Sequence, residues 1–198
     1  MKLIKVEDTD FSEVKVLQIG RFPDSRGYFT ETFRKSDIEK LDFLKDKNFV
    51  QINESFSKKN VVRGMHFQHS PFQEKLIRVI SGKMEDYFMD IRPNSPYFGK
   101  VASCTLESSF KDETFELLWI PKGFAHGLYT LEDTTIEYLC NSEYSPKTEC
   151  SISPTDEEID WSLTKRPDFA KVIISERDQD GASLKQWKES PQSKLFKI

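Results

Sequence analysis

From Arg63 to Lys75 the chain reads Arg-Gly-Met-His-Phe-Gln-His-Ser-Pro-Phe-Gln-Glu-Lys, a run otherwise typical of β-strand. Inward positions of a strand normally carry apolar groups, because burying an unpaired charge or amide is costly. Here Arg63, His66, Gln68, Gln73 and Lys75 supply a base, two cations and two amides, which the spacing allows to project into one cavity. A second run, Ile120-Pro-Lys-Gly-Phe-Ala-His-Gly127, adds another histidine at a Gly-flanked bend. The chain has only three histidines, so two in such settings point to an enzyme or a ligand site. Imidazole ordinarily titrates near neutral pH, which suits general acid–base work.

Strands must position these groups. Stretches rich in Val, Ile, Phe and Tyr recur between Gly, Pro, Asn, Asp and Ser: Val14–Ile19, Tyr28–Phe33, Phe49–Phe56, Val61–Phe67, Lys75–Ile80, Lys83–Ile91, Phe98–Leu106, Phe115–Ile120, Ala125–Thr130 and Thr134–Cys140. Many short strands with turn signals predict an all-β sandwich or barrel. In Met84–Ile91, Tyr87, Met89 and Ile91 share one face and Asp86, Phe88 and Asp90 the other, as in a sheet lining a polar interior. A helix is predicted over Ser36–Leu44, with Ser36 as N-cap, Glu39 at the capping-box position and Ile38, Leu41 and Leu44 on one stripe. Short helices are expected near Asp156–Ile159 and Ser183–Trp187, and the last ten residues read as frayed.

At 198 residues the chain is expected to form one domain, with a core over about 10–180 and a tail over 181–198. The net charge of −4 argues against a nucleic-acid binder. An anionic ligand would need a local cationic pocket. Cys104, Cys140 and Cys150 are too widely spaced for a disulfide framework or zinc knuckle, and Cys140 and Cys150 read as packing residues. The first residues meet acids before any apolar run, and no long apolar run follows. The expectation is a soluble cytoplasmic protein without membrane association.

Five blocks follow one another in order: Asp24-Ser-Arg-Gly-Tyr-Phe-Thr-Glu31; Gln51-Ile-Asn-Glu-Ser55 with Arg63-Gly-Met-His-Phe-Gln68; Gly-Phe-Ala-His126-Gly; Thr135-Ile-Glu-Tyr138 with Tyr144-Ser-Pro146; and Ile174-Ser-Glu-Arg-Asp178. Together they resemble the dTDP-4-dehydrorhamnose 3,5-epimerase family, nucleotide-sugar epimerases on a cupin-like jelly roll. The resemblance implies epimerisation at C3, C5 or both of a nucleotide-activated 4-keto-6-deoxyhexose, without a cofactor. It also implies a homodimer in which some substrate contacts come from the neighbouring subunit.

A 4-keto sugar has acidified protons at C3 and C5, so inversion needs a base on one face and a proton donor on the other. By resemblance His66 is the base, Asp178 orients it, Tyr138 is the acid, and Lys75 stabilises the developing C4 oxyanion. His126 matches a sugar-contacting histidine, Arg26 and Arg63 match diphosphate positions, and Gln51, Asn53, Glu31 and Tyr144 match substrate contacts. Read from the residues alone, Asp180 competes with Asp178, His69 is structural or exposed, and Arg26 with Glu31 could be a surface ion pair.

No metal is expected, because Gln68 stands where metal-binding cupins place the second histidine of His-x-His. Two departures from the family pattern, Glu143 before Tyr144 and Ser153-Pro-Thr-Asp156, bear on which nucleotide is held. Two other activities stay open at this point: a 3,4-ketoisomerase and a non-catalytic sugar-binding cupin.

Overall fold

A computed structural model describes residues 1–196. In chain order the strands and helices are β1 (Leu3–Asp8), β2 (Lys15–Gly20), β3 (Phe22–Asp24), β4 (Gly27–Phe29), α1 (Lys35–Ile38), β5 (Gln51–Ser57), β6 (Val61–Gln68) and β7 (Lys75–Asp90). There follow β8 (Val101–Ser108), β9 (Thr114–Ile120), β10 (Phe124–Thr130), β11 (Thr134–Cys140), β12 (Glu149–Ser151), β13 (Ile173–Ile174), α2 (Glu176–Gln179) and α3 (Leu184–Glu189).

The sixteen-residue β7 belongs to two sheets. Its first half pairs with β9 and β11, extending a sheet that runs β1-β2-β9-β7-β11-β5. Its second half pairs with β8 and β10, and β10 leads on to β6 and β12. The crossover sits at Gly82, whose φ of +93° and whose closeness to Asp133 O, 2.3 Å from where a Cβ would lie, leave no room for a side chain.

Alternation along the strands sorts the side chains into layers. Ile77, Val79, Met84, Phe88, Leu118, Ile120, Leu128 and Ile136 come from both sheets and pack between them. Leu17, Leu76, Leu117 and Trp119 face outward from the first sheet and are covered by Ile38 and Leu44. Met65, Phe67, Tyr87 and Met89 face outward from the second sheet and are covered by Leu184, Trp187 and Phe196. This is the expected all-β jelly-roll architecture, and the two faces of Met84–Ile91 divide as their alternation predicts.

Several boundaries differ from expectation. The helix over Ser36–Leu44 shrinks to Lys35–Ile38, with Arg34 at its N-cap and no side-chain cap. Ser36 lies inside it, and the amino-terminal ammonium engages Asp37 instead (2.5 Å). Its apolar stripe is still used, since Ile38 and Leu44 are buried, but residues 39–46 deliver Leu44 by turns. The strand over Tyr28–Phe33 reduces to Gly27–Phe29, which among the described residues pairs only with β3 in a separate hairpin. No helix forms over Asp156–Ile159. The Asp156 carboxylate accepts the N–H of Glu158 (2.7 Å) and of Leu184 (2.9 Å), a turn and a helix-end contact that compete with helix.

The Ser183–Trp187 helix does form, with Ser183 as N-cap of a complete capping box. The tail is not frayed through its described part. Pro191–Leu195 is a 3₁₀ turn, and Phe196 packs edge-on against Phe67 and Trp187. The last two positions of that expectation, 197 and 198, lie outside the described residues.

Candidate active site

Arg63 and His66 are three apart, and on a regular strand they would face opposite sides. They share a cavity because β6 bulges. His126 opposes His66 and Leu128 opposes Arg63, so two steps on β10 match three on β6. Gly64 absorbs the extra residue at φ +104°, and a Cβ there would stand 2.5 Å from His126 O. Lys75 points inward with Ile77 and Val79, His126 with Phe124 and Leu128, and Tyr138 with Ile136. His66, Lys75, His126, Tyr138 and Arg63 thus border one cavity of ≈ 70 Å³. His66 and His126 come from one sheet and Tyr138 from the facing one, so imidazole and phenol stand on opposite walls.

Asp178 reaches His66 from α2. β13 pairs in parallel with β6, and the chain then turns into α2 at Ser175, whose hydroxyl accepts the Asp178 N–H. His66 Nε2 lies 2.6 Å from Asp178 Oδ1, and Asp178 Oδ2 accepts the Gly64 N–H at 3.3 Å. Burial alone would raise the pKa of this carboxyl. The bonds to His66 and Gly64 outweigh burial and hold it below the usual value. Among the described residues Asp180, the rival for this role, makes no hydrogen bond or ion pair with His66.

A second dyad lies deeper. His126 Nε2 meets Asp86 Oδ2 at 3.0 Å, and Asp86 Oδ1 is buried with no partner among the described residues. Burial pushes Asp86 up and His126 down, each partly opposed by the other. Burial also pushes Lys75 down, against the pull of Cys140, Asp86 and Glu149. Among the described residues Lys75 Nζ has no hydrogen bond or ion pair. Burial raises Tyr138, so the phenol keeps its proton well into alkaline solution. These groups can hold a base, a proton donor and an unpaired cation around one small volume.

Gln51 and Asn53 stand on β5, bonded to each other (2.8 Å), with Asn53 opposite Tyr138. Tyr144 lies beyond them. Its N–H donates to Gln51 (2.8 Å) and its hydroxyl to Glu149 (2.9 Å), and Glu149 is also engaged by Arg177. Arg26 and Glu31 are not brought to the cavity. Arg26 is highly exposed and pairs with Asp24, while Glu31 holds the amino terminus and Arg34, so the two do not pair with each other.

Gln68 and Gln73 also depart from expectation. Both amides bond loop carbonyls rather than entering the cavity. Sequence reasoning missed Asp86 as a site group, although the polar face of β7 signalled it. Nothing local signalled Glu149 and Arg177. Among the described residues no cluster of three or more His, Cys, Asp or Glu side chains could hold a metal ion.

The family described as dTDP-4-dehydrorhamnose 3,5-epimerase matches residues 8–186. The chain belongs to this family. It is 39% identical over 175 residues to the dTDP-4-dehydrorhamnose 3,5-epimerase of Escherichia coli, covering 86% of this chain and 89% of that protein. It is 38% identical to the Neisseria gonorrhoeae enzyme of the same name over 95% of this chain, which spans only 54% of that longer relative. The structure of the dTDP-6-deoxy-D-glucose-3,5-epimerase of Legionella pneumophila, in complex with dTDP-4-keto-L-rhamnose, superposes with a TM-score of 0.78. That comparison has 35% identity and covers 91% of this chain and 93% of that one. The Sulfolobus tokodaii dTDP-4-dehydrorhamnose 3,5-epimerase gives 0.78 at 38% identity, over 94% and 97% of the two chains. Among the described residues no helix is long and apolar enough to cross a membrane.

Proposed function

We propose that this chain epimerises a dTDP-linked 4-keto-6-deoxyhexose at C5 and C3. The observation that carries the reading is the facing of His66 and Tyr138 across one cavity that Lys75 also enters. His66, backed by Asp178, removes the proton from a carbon next to the C4 carbonyl. The electron pair moves onto the C4 oxygen, where Lys75 meets the enolate's negative charge. Tyr138 then gives its proton to the opposite face of that carbon, and the pair returns from oxygen to form the new C–H bond. His66 passes its proton to solvent and Tyr138 regains one, which resets the site. His126, held from behind by Asp86, borders the same volume and holds the sugar.

Arg63 and Arg177 are the cations placed to meet the diphosphate at the rim, with Gln51, Asn53 and Tyr144 beside them. Arg26 and Glu31 belong, in this reading, to the site of a second copy in a homodimer. The exposed β3–β4 hairpin, with Phe22 and Phe29 open to solvent, supports that arrangement. The protein works as one cupin-like domain, without nucleic acid or membrane, in the cytoplasm, whose reducing conditions suit three free thiols. Ketoisomerisation and simple sugar binding are not favoured, since the relatives are epimerases by name.

The test is deuterium incorporation from solvent into a dTDP-linked 4-keto-6-deoxyglucose, read by proton NMR. Loss of the C3 and C5 proton signals with inverted products is expected. A substrate that keeps both protons in the presence of enzyme removes the proposal.

A further inference from the structure

Among the described residues the segment 141–146, which carries Tyr144, lies in neither helix nor strand. Three glutamine side chains hold its backbone. The Gln68 amide nitrogen donates to Pro71 O at 3.0 Å and to Glu143 O at 3.1 Å, and its oxygen accepts the Ser145 N–H at 2.7 Å. Gln68 is 3% exposed, so both donors and the acceptor of a buried amide are satisfied. Gln73 donates to Ser142 O at 3.0 Å, and Gln51 accepts the Tyr144 N–H at 2.8 Å. Gln68 therefore grips the chain immediately before and immediately after Tyr144.

The chemistry of the grip admits few substitutes. Two carbonyl oxygens and one N–H converge on this side chain, and only a primary amide offers two donors beside an acceptor in that arrangement. A carboxylate would turn an oxygen toward both carbonyls. A thioether would leave all three backbone groups unpaired in a dry place. Gln68 also stands two residues beyond His66 on the same strand, so the anchor of Tyr144 and the base share one rigid element.

We propose that Gln68 is a positioning residue: through Glu143 and Ser145 it fixes Tyr144 at the mouth, and so sets the grip on the nucleotide sugar. This rests on the reading that Tyr144 meets substrate. Gln68 touches none of the proton-transfer groups, so its loss weakens binding and spares the chemical step.

The experiment is a coupled pair of substitutions, with KM and kcat measured for the dTDP-linked 4-keto sugar. Tyr144→Ala raises KM. Gln68→Met raises KM about tenfold, the share of its three lost hydrogen bonds that reaches the bound substrate, with kcat held within about twofold. Adding Gln68→Met to Tyr144→Ala raises KM no further, which a general structural role would not produce. Should Gln68→Met fold poorly, Gln73→Leu removes one bond to the same segment and shows a smaller rise, again absent in the Tyr144→Ala background. Effects that multiply in full, or a fall in kcat at unchanged KM, overturn the proposal. A wild-type KM in Tyr144→Ala overturns the Tyr144 reading as well; a wild-type KM in Gln68→Met beside a raised one in Tyr144→Ala overturns only this inference.

Discussion

An imidazole backed by a carboxylate and a phenol that keeps its proton do different work, and substitution separates them. In Tyr138→Phe the His66–Asp178 pair is intact, so the variant still exchanges substrate protons with solvent deuterium. Inversion falls about 10³-fold, because the far face has lost its donor. Inverted product formed at the wild-type rate would refute the role of the phenol. Lys75 makes a second case. Its pKa is lowered, chiefly by burial, so its charge is present at low pH and lost as pH rises through a value below the ordinary 10.5. The alkaline fall of kcat/KM therefore starts below that value, and Lys75→Arg, which stays charged, removes the fall even if its plateau is lower. A pH–rate profile with an unmoved alkaline limb would exclude Lys75 as its source.

At the scale of elements, the bulge in β6 decides the site. Gly64→Ala would put a methyl group against His126 O at 2.5 Å and Gly127 Cα at 2.7 Å, in a backbone region that suits glycine. We expect about 3 kcal/mol or more of lost stability in chemical denaturation, together with loss of epimerisation as Arg63 and His66 part. A variant with wild-type stability would show that the bulge tolerates a side chain.

Most strands were legible in the sequence because alternation and turn residues mark them. What was hidden is instructive. Lys75–Ile80 and Lys83–Ile91 read as two strands, since Ser81-Gly82 looks like punctuation, yet the chain runs straight through and changes sheets. The helix over Ser36–Leu44 had the right stripe, but only its first turn is helical, and residues 39–46 carry the rest of the stripe in turns. His66, Lys75, His126 and Tyr138 were readable as one set only through the family resemblance, since Tyr138 by itself reads as an ordinary strand tyrosine. The destinations of Gln68, Glu149 and Arg177 were not, because they depend on loops whose meeting no local pattern encodes.

For the whole molecule, the decisive question is where Arg26 acts. It sits on an exposed hairpin away from the cavity, and the edge strand β5 leaves Ile52 and Phe56 uncovered. If a second copy completes each site, two inactive variants rescue one another. Mixing Arg26→Ala with His66→Asn, after partial unfolding and refolding, should restore about a quarter of wild-type activity, since half of the dimers would be mixed and each would hold one intact site. Continued inactivity of a mixture shown to exchange subunits would return Arg26 to the surface.

The double membership of β7 carries a last consequence. Lys75 and Asp86 ride on a single unbroken ribbon that crosses from wall to wall, so the gap between the walls cannot breathe like a clam without tearing that ribbon's pairing. The reacting carbons therefore meet a fixed gauge, and adaptation to a different sugar or base must come from the fringe segments around the opening.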